Sequence, residues 1–202
     1  MILLNPYRFA SAGAALVFES STVTTPTGSN PSITVPTANS GDRLVIVLGF
    51  IASDIPTANG GGYIERLNDT SNVNIQYAVY EKTAGLSEPT SVGFTAPFGN
   101  FVGVGLRWSG AQSGGTDGTE NFAYSTTITA DSITVTSGSD VIEVYLARSS
   151  SITKSGTTQN ALNSSVSLAV KINEDVASTS IQTATIAASN HVFGNQIEIL
   201  KA

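Results

Sequence analysis

The sequence has no cysteine and only one histidine, one methionine and one tryptophan among its 202 residues. Without cysteine the chain can form neither a disulfide scaffold nor a thiolate metal site. Charged residues make up 12% of the chain, about half the share in ordinary globular proteins, which excludes a coiled coil and most helix-rich folds. A net charge of −6 repels phosphate backbones and anionic lipids, so we expect no nucleic-acid binding.

Long apolar segments are also missing from the sequence. No apolar run reaches the roughly 20 residues of a transmembrane helix, so no membrane insertion is expected. The N-terminal segment Met1-Ile2-Leu3-Leu4-Asn5-Pro6 lacks a basic leader and makes a poor signal peptide. We therefore expect the protein to be made in the cytoplasm and used elsewhere without Sec export.

Serine and threonine are abundant, at 50 residues together, and glycine adds 19, a composition typical of short strands and turns. Residues 44–51 are apolar on both faces and are predicted to form a central strand. Three other segments alternate apolar and polar residues with the period of a strand that has one buried face: 73–80, 101–108 and 166–173. With Gly-rich turns between these runs, the sequence predicts an all-β, two-sheet antiparallel sandwich, jelly-roll-like, of about ten strands.

The chain also repeats itself in order, with offsets that fall from 100 to about 91 residues. The matching segments are 32–35 with 132–135, 41–48 with 139–146, 73–79 with 166–172, and 101–111 with 192–202. Two tandem domains and one sandwich with pseudo-symmetric halves both fit this repeat. The short joining segment favours a single domain over residues 19–202, with halves at about 19–111 and 124–202, after an N-terminal arm of residues 1–18.

The sequence offers little to an enzyme. His191 is the sole histidine, and no Gly-x-Ser-x-Gly elbow accompanies it, so a Ser-His-Asp triad is not expected. Glu81 and Glu174 sit at matching strand ends, where we interpret them as solvated rather than as an acid and base pair. Glu143 is predicted on a semi-buried face. We expect no catalytic activity and no cofactor.

The sequence contains two kinds of candidate binding site. The acidic loop Asp117 to Asn121 offers oxygen ligands to Ca²⁺ but lacks the Asp-x-Asp-x-Asp-Gly spacing, so a plain turn is favoured and calcium binding stays open. Aromatic and amide side chains can instead contact a glycan. Trp108 is in register with apolar neighbours and is predicted to be buried, whereas Tyr80 on the polar face and Tyr63 in a Gly-rich loop are predicted to be exposed. The predicted glycan contacts are Asn59, Tyr63, Asn68 and Tyr80.

Several segments resemble tailed-bacteriophage structural proteins. The opening Leu3-Leu4-Asn5-Pro6-Tyr7-Arg8-Phe9 resembles the start of many minor tail proteins. Ser40-Gly41-Asp42-Arg43-Leu44-Val45-Ile46-Val47 is similar to a recurring phage module with a "Gly-Asp-Leu-Leu-Val" strand. The later signatures of that module correspond here to Gly60-Gly61-Gly62-Tyr63, Tyr77 to Gly85, Glu88-Pro89 and Trp108-Ser109-Gly110. The module's "Pro-x-Gly-Trp" loop is missing.

This resemblance covers residues 30–111 and implies a jelly-roll-like sandwich in a virion component, without catalytic residues. It implies that the protein resides in the virion, as a capsid surface decoration or a component of the tail, baseplate or fibre. Other virion proteins are the implied partners, and a homo-oligomer such as a trimer stays open. The alternative is a carbohydrate-binding module that recognises a host-surface glycan.

The apolar N-terminal segment is the predicted assembly element. Pro6 keeps it from forming a central strand or a helix interior. Two hypotheses for this segment are equally favoured. In the first it docks on another virion subunit, for instance by adding a strand to a sheet edge, and in the second it caps its own sandwich. The residues predicted to carry assembly are Leu3, Leu4, Pro6, Tyr7, Arg8 and Phe9.

Overall fold

The computed structural model describes residues 15–156 and 158–202, which contain fifteen β-strands and no helix. The strands are β1 (Val17–Thr24), β2 (Thr27–Gly28), β3 (Ser32–Thr34), β4 (Arg43–Ile51), β5 (Thr57–Ala58), β6 (Ile64–Asp69), β7 (Gln76–Thr83), β8 (Ser91–Thr95), β9 (Gly99–Ser109), β10 (Asn121–Ala130), β11 (Ser139–Arg148), β12 (Ile152–Thr153), β13 (Thr158–Leu162), β14 (Val166–Val176) and β15 (Gln182–Ile199). The predicted all-β class is confirmed. The count exceeds ten because strands of two or three residues leave no alternating pattern to detect.

The strands form three antiparallel sheets. The first sheet has the order β1-β9-β4-β7-β6, with β2 also on β9, and the second has the order β10-β15-β11-β14-β13, with β12 also on β15. A small third sheet has the order β3-β8-β5. Each large sheet is built from one half of the chain, and the two halves place their strands in the same spatial order.

The core lies between the two large sheets. One buried cluster takes Val45, Val47 and Trp108 from the first sheet and Ile142 and Leu168 from the second. Trp108 is fully buried, which confirms the prediction made for it. β1 begins at Val17, so the last two residues of the predicted arm belong to the first sheet.

Both large sheets are also covered on their outer faces. On the first sheet, Ile33 and Phe94 of the small sheet pack against Leu48 and Tyr80. On the second sheet, the early part of β15 folds back with β10, and Ala184 and other residues of this segment pack against the outer face. The predicted exposure of Tyr80 is therefore wrong: its exposed fraction is 2%, because the face that looks polar in sequence is covered by a distant segment.

The glycines shared by the two halves mark where these covering layers approach most closely. A Cβ on Gly103 would lie 2.8 Å from Ile33 Cδ1 of the small sheet. A Cβ on Gly194 would overlap the backbone oxygen of Thr129, where β10 crosses the second sheet. At position 194 only glycine leaves room for the layer above, whereas a larger residue at position 103 requires the Ile33 side chain to shift.

One part of the sequence repeat is out of register in the structure. The repeat matched residues 41–48 with 139–146, which sets Val45 against Glu143. Val45 faces the central core, whereas Glu143 lies on the outer face of its sheet, next to Lys171 of the neighbouring strand. Because side chains alternate between faces, a slip of one residue exchanges the faces, so this match is wrong by an odd number of positions.

Buried charges join the two sheets at one edge of the core. Glu81 pairs with Arg43 and with Arg66, whose Nη1 lies 3.3 Å from Glu81 Oε2. Arg66 reaches the second half, with Nη2 2.6 Å from Asp117 Oδ1 and a 2.8 Å hydrogen bond to the backbone oxygen of Glu198. The interpretation of Glu81 as a solvated strand end is therefore wrong: it is 4% exposed and neutralised by two arginines.

Candidate functional site

A polar cleft of about 250 Å³ opens on the outer face of the second sheet, beside the predicted semi-buried Glu143. Strands β11, β14 and β15 supply its floor, and the segment that leads into β15 supplies its rim. The lining residues are Val141, Glu143, Lys171, Asn173, Val176, Ser178, Thr179, Ser180, Gln182 and Gln196.

Strand register places the central residues of this cleft in one row. Glu143 on β11 lies opposite Lys171 on β14 and opposite Gln196 on β15. Side chains directly opposite each other on antiparallel strands share a face and lie within contact distance. The three side chains therefore meet although 53 residues of chain separate Glu143 from Gln196 (196 − 143).

The Glu143 carboxylate is held by four donors on neighbouring segments. Oε1 accepts hydrogen bonds from Asn173 Nδ2 at 2.6 Å and from Lys171 Nζ at 3.4 Å. Oε2 accepts a 2.5 Å bond from the Tyr145 hydroxyl and lies 2.8 Å from Lys154 Nζ. A buried carboxylate is tolerated only when its oxygens are paired in this way.

These contacts decide the protonation states of the cleft. Burial acts to raise the pKa of Glu143, but the hydrogen bonds from Lys154, Tyr145 and Asn173 outweigh it and lower the pKa below its ordinary value. Burial, followed by the hydrogen bond to Glu143, raises the pKa of Tyr145. Near neutral pH the carboxylate is therefore ionised and the tyrosine is a permanent donor.

The rim is held by hydrogen bonds to backbone oxygens. Gln196 Nε2 donates to the backbone oxygens of Ala130 at 3.2 Å and Ser180 at 2.8 Å. Thr179 Oγ1 donates to the Ile133 backbone oxygen at 2.8 Å and accepts from the Ile133 amide at 2.6 Å. The cleft therefore has a fixed shape, which favours binding of a small polar ligand over a group that must move.

The structure separates the four residues predicted to contact a glycan. Tyr80 is buried, and its hydroxyl donates to the backbone oxygen of Pro56, so it is corrected from an exposed contact to a core residue. Asn59 is exposed and accepts a 2.6 Å hydrogen bond from Thr95 Oγ1. Asn68 is also exposed and donates to Glu65 Oε1. No hydrogen bond or ring contact among the described residues links these four side chains into one site.

Tyr63 is half-buried rather than exposed. Its ring packs on the cluster under the small sheet, and Lys82 Nζ lies 5.4 Å from the ring centroid. Its hydroxyl is buried and finds no hydrogen-bond partner among the residues the structure describes. Burial and the nearby Glu88 raise the pKa of this hydroxyl. Because the ring is packed against this cluster and Lys82, Tyr63 is poorly placed to stack on a sugar.

The acidic loop does not gather its oxygens around one point. Asp117 faces Arg66, whereas Glu120 accepts a 3.1 Å hydrogen bond from the Tyr77 hydroxyl. Within residues 15–156 and 158–202, no three His, Cys, Asp or Glu side chains lie close enough together to hold a metal ion. The predicted assembly residues Leu3, Leu4, Pro6, Tyr7, Arg8 and Phe9 lie outside the described residues.

Sequence reasoning found only part of this cleft. It placed Glu143 on a semi-buried face but missed Lys171, Asn173 and Gln196. The sequence did carry one signal. Lys171 and Asn173 occupy the polar positions of an alternating strand, and Glu143 is a charged residue within an otherwise apolar stretch of its own strand. The rim, in contrast, depends on the fold-back of β15, for which the sequence carries no periodic signal.

Comparison with protein-family models, curated proteins and solved structures finds no match to this chain. None of the described residues forms a helix that is long and apolar enough to cross a membrane.

Proposed function

We propose that this protein is a non-enzymatic structural component of a tailed-phage virion, displayed on the capsid surface or built into the tail, baseplate or fibre. The observation that carries the proposal is where the phage-like signatures lie. The Gly41-Asp42 block, Tyr77 to Gly85 and the Trp108 segment lie on or beside β4, β7 and β9, three adjacent strands of one sheet. Segments that are separate in the resemblance thus form one structural unit.

Two of the signature residues, Asp42 and Glu88, support that unit through specific contacts. Asp42 accepts a 2.7 Å hydrogen bond from the Asn39 amide and pairs with Arg107 at 2.6 Å. Glu88 caps its loop, with a 2.5 Å bond from the Gly85 amide and a 2.7 Å ion pair to Lys82. Turn and loop contacts of this kind suit a protein whose task is to keep a rigid shape.

The buried carboxylates support a role without catalysis. Glu81 is held between two arginines, Glu143 among four donors, and Asp140 between Trp108 and the Asp175 amide. General acid–base work needs a group that can exchange a proton with a substrate. Side chains fixed in this way serve stability instead, and long-lived particles need stability.

Immunogold labelling of particles from the source lysate tests the proposal. Antibodies are raised against the full 202-residue chain, and the same antibodies pre-absorbed with the pure protein serve as the control. We expect gold on virions, evenly over heads for a capsid decoration or at the tail tip for a tail component. Particles that carry no more gold than the control overturn the virion proposal.

We also propose a second function, binding of a host-surface glycan by this same protein. The specific observation in its favour is the polar cleft beside Glu143, where amide, hydroxyl and charged groups converge in a small concave site. The cleft replaces the scattered set of Asn59, Tyr63, Asn68 and Tyr80 as the proposed contact region.

A further inference from the structure

The charges of the cleft do not cancel. Lys154 pairs with Glu143, and its side chain is 5% exposed. Lys171 is the second cation beside the same carboxylate, and 22% of its side chain is exposed to the cleft and solvent. One carboxylate and two ammonium groups leave a local charge of +1 in a protein whose net charge is −6.

We propose that the cleft binds a single acidic sugar unit, whose carboxylate pairs with Lys171 and whose hydroxyls bond to the amide and hydroxyl groups around it. This inference rests on the proposed glycan binding and is independent of the virion location. The Glu143 carboxylate is already neutralised by the buried Lys154. The Lys171 ammonium group is accessible from solvent and can therefore pair with a ligand that carries one negative charge.

Lys171 has bonding capacity to spare. An ammonium group has three N–H donors. Among the described residues, Glu143 alone accepts a hydrogen bond from Lys171 Nζ, and that contact is long at 3.4 Å. A ligand carboxylate can therefore approach this lysine without breaking the shorter bonds that hold Glu143.

The other groups of the cleft match hydroxyls. Asn173 donates its amide to Glu143, while its Oδ1 accepts no hydrogen bond from the described residues. Ser178 and Ser180 are exposed on the rim and can both donate and accept. Inorganic phosphate or sulfate offers few or no donors to the acceptor oxygens of Asn173, Ser178 and Ser180. A polyhydroxylated anion can use both the donors and the acceptors of the cleft.

The volume of the cleft suits a single sugar unit. Its volume of about 250 Å³ is below the roughly 300–1,000 Å³ of pockets that enclose drug-sized ligands. No aromatic side chain is among the lining residues, so recognition depends on charge and hydrogen bonds rather than on stacking. We therefore expect weak binding of a monosaccharide that gains strength only when many copies of the protein act together.

Titration of the full chain with D-glucuronate and with D-glucose, followed by NMR, tests the inference. The two sugars differ in the carboxylate, and the side-chain amides of Asn173 and Gln182 report binding at the cleft. We expect glucuronate to shift these signals and glucose to bind about tenfold more weakly, the contribution of one charge-assisted hydrogen bond. N-acetylneuraminate serves as a second acidic probe.

Two variants and one matched control locate the effect. K171M should remove the preference for glucuronate over glucose, whereas K201M, which changes net charge equally at an exposed lysine, should keep it. S178W places a large side chain on the exposed rim and should abolish binding of both sugars without a change in the core. It keeps the inference testable if K171M does not fold.

Several results would overturn the inference. These are equal affinity for glucuronate and glucose, an undiminished preference in K171M, and no shift of the Asn173 and Gln182 signals by either acidic sugar at its solubility limit. The immunogold result does not bear on any of them. A labelled virion without sugar binding would leave the structural role alone, and sugar binding without labelled particles would leave a free binding module.

Discussion

Trp108 Nε1 donates a 2.8 Å hydrogen bond to Asp140 Oδ2, and both residues are buried, with exposed fractions of 0% and 2%. The bond joins the last strand of the first half to β11 of the second. Asp140 also accepts a 3.0 Å bond from the Asp175 amide through its other oxygen. One carboxylate therefore fixes a core tryptophan of the first sheet and the C-terminal end of β14 in the second sheet at the same time.

Replacing Asp140 by alanine should lower the free energy of unfolding by about 1–3 kcal/mol, because the buried indole N–H of Trp108 and the partly buried amide of Asp175 lose their acceptor. D140N keeps the shape and one acceptor oxygen and should cost less. Urea denaturation gives the values, and D54A on an exposed loop is the control. Equal stability of D140A and D54A would contradict the role assigned to this bond.

The two halves should unfold in one transition. Their large sheets share a single buried cluster, so neither half keeps its core if the other is lost. Trp108 is the sole tryptophan and lies in that cluster, so its fluorescence reports on the shared core while far-UV circular dichroism reports on all strands. We expect the two urea curves to coincide. Separate midpoints would indicate two independently folding units.

The stability contribution of Glu143 should depend on pH in a defined direction. The pKa of Glu143 is lowered in the folded protein by its hydrogen bonds, against the opposing effect of burial. Such a carboxylate stabilises the fold above its unfolded pKa of about 4.3, and this contribution is lost as the pH falls through the folded pKa. The free energy of unfolding of the wild type should therefore exceed that of E143Q by roughly 3 kcal/mol at pH 7. This difference should shrink as the pH falls.

Thermal or urea unfolding of wild type and E143Q across this pH range provides the measurement. E19Q makes the same change in charge at an exposed glutamate and should show little difference from wild type. A gap between wild type and E143Q that stays constant down to strong acid would show that the carboxylate charge does not stabilise the fold.

Glycine at position 194 should be harder to replace than glycine at position 103. A Cβ at Gly194 meets the backbone of Thr129, which cannot move alone, whereas one at Gly103 meets the flexible end of Ile33. Overpacking costs about 1–3 kcal/mol, and we expect G194A at or above the top of that range and G103A near its bottom. G93A, with 3.7 Å to its nearest neighbour, is the control, and urea midpoints rank the three variants. A loss in G93A as large as in G194A would contradict this explanation.

Deletion of residues 1–10 tests the predicted assembly arm. If the arm docks on another subunit, the truncated protein should keep its melting temperature but fail to enter particles. A variant with L3A, L4A and F9A should behave in the same way, because the apolar side chains carry the docking. A large fall in melting temperature instead would assign the segment to its own sandwich.

The sequence by itself determined the class of fold and much of its core. Period-two alternation and the Gly-rich turns predicted strands, the doubly apolar run predicted the central strand β4, and the register of Trp108 predicted its burial. These features are local, because a strand's two faces and its bounding turns are written within ten residues of chain.

The outer layers and the rim of the cleft were decided by the tertiary structure alone. Tyr80 was predicted to be exposed because it lies on the more polar face of an alternating strand. Phe94, fourteen positions later in the chain (94 − 80), packs on that face and covers it. Glu81 looked solvated until Arg43 and Arg66 were brought to it by strand pairing. An alternating sequence shows only that the two faces of a strand differ. Which face is exposed to water depends on segments from elsewhere in the chain that pack against the strand.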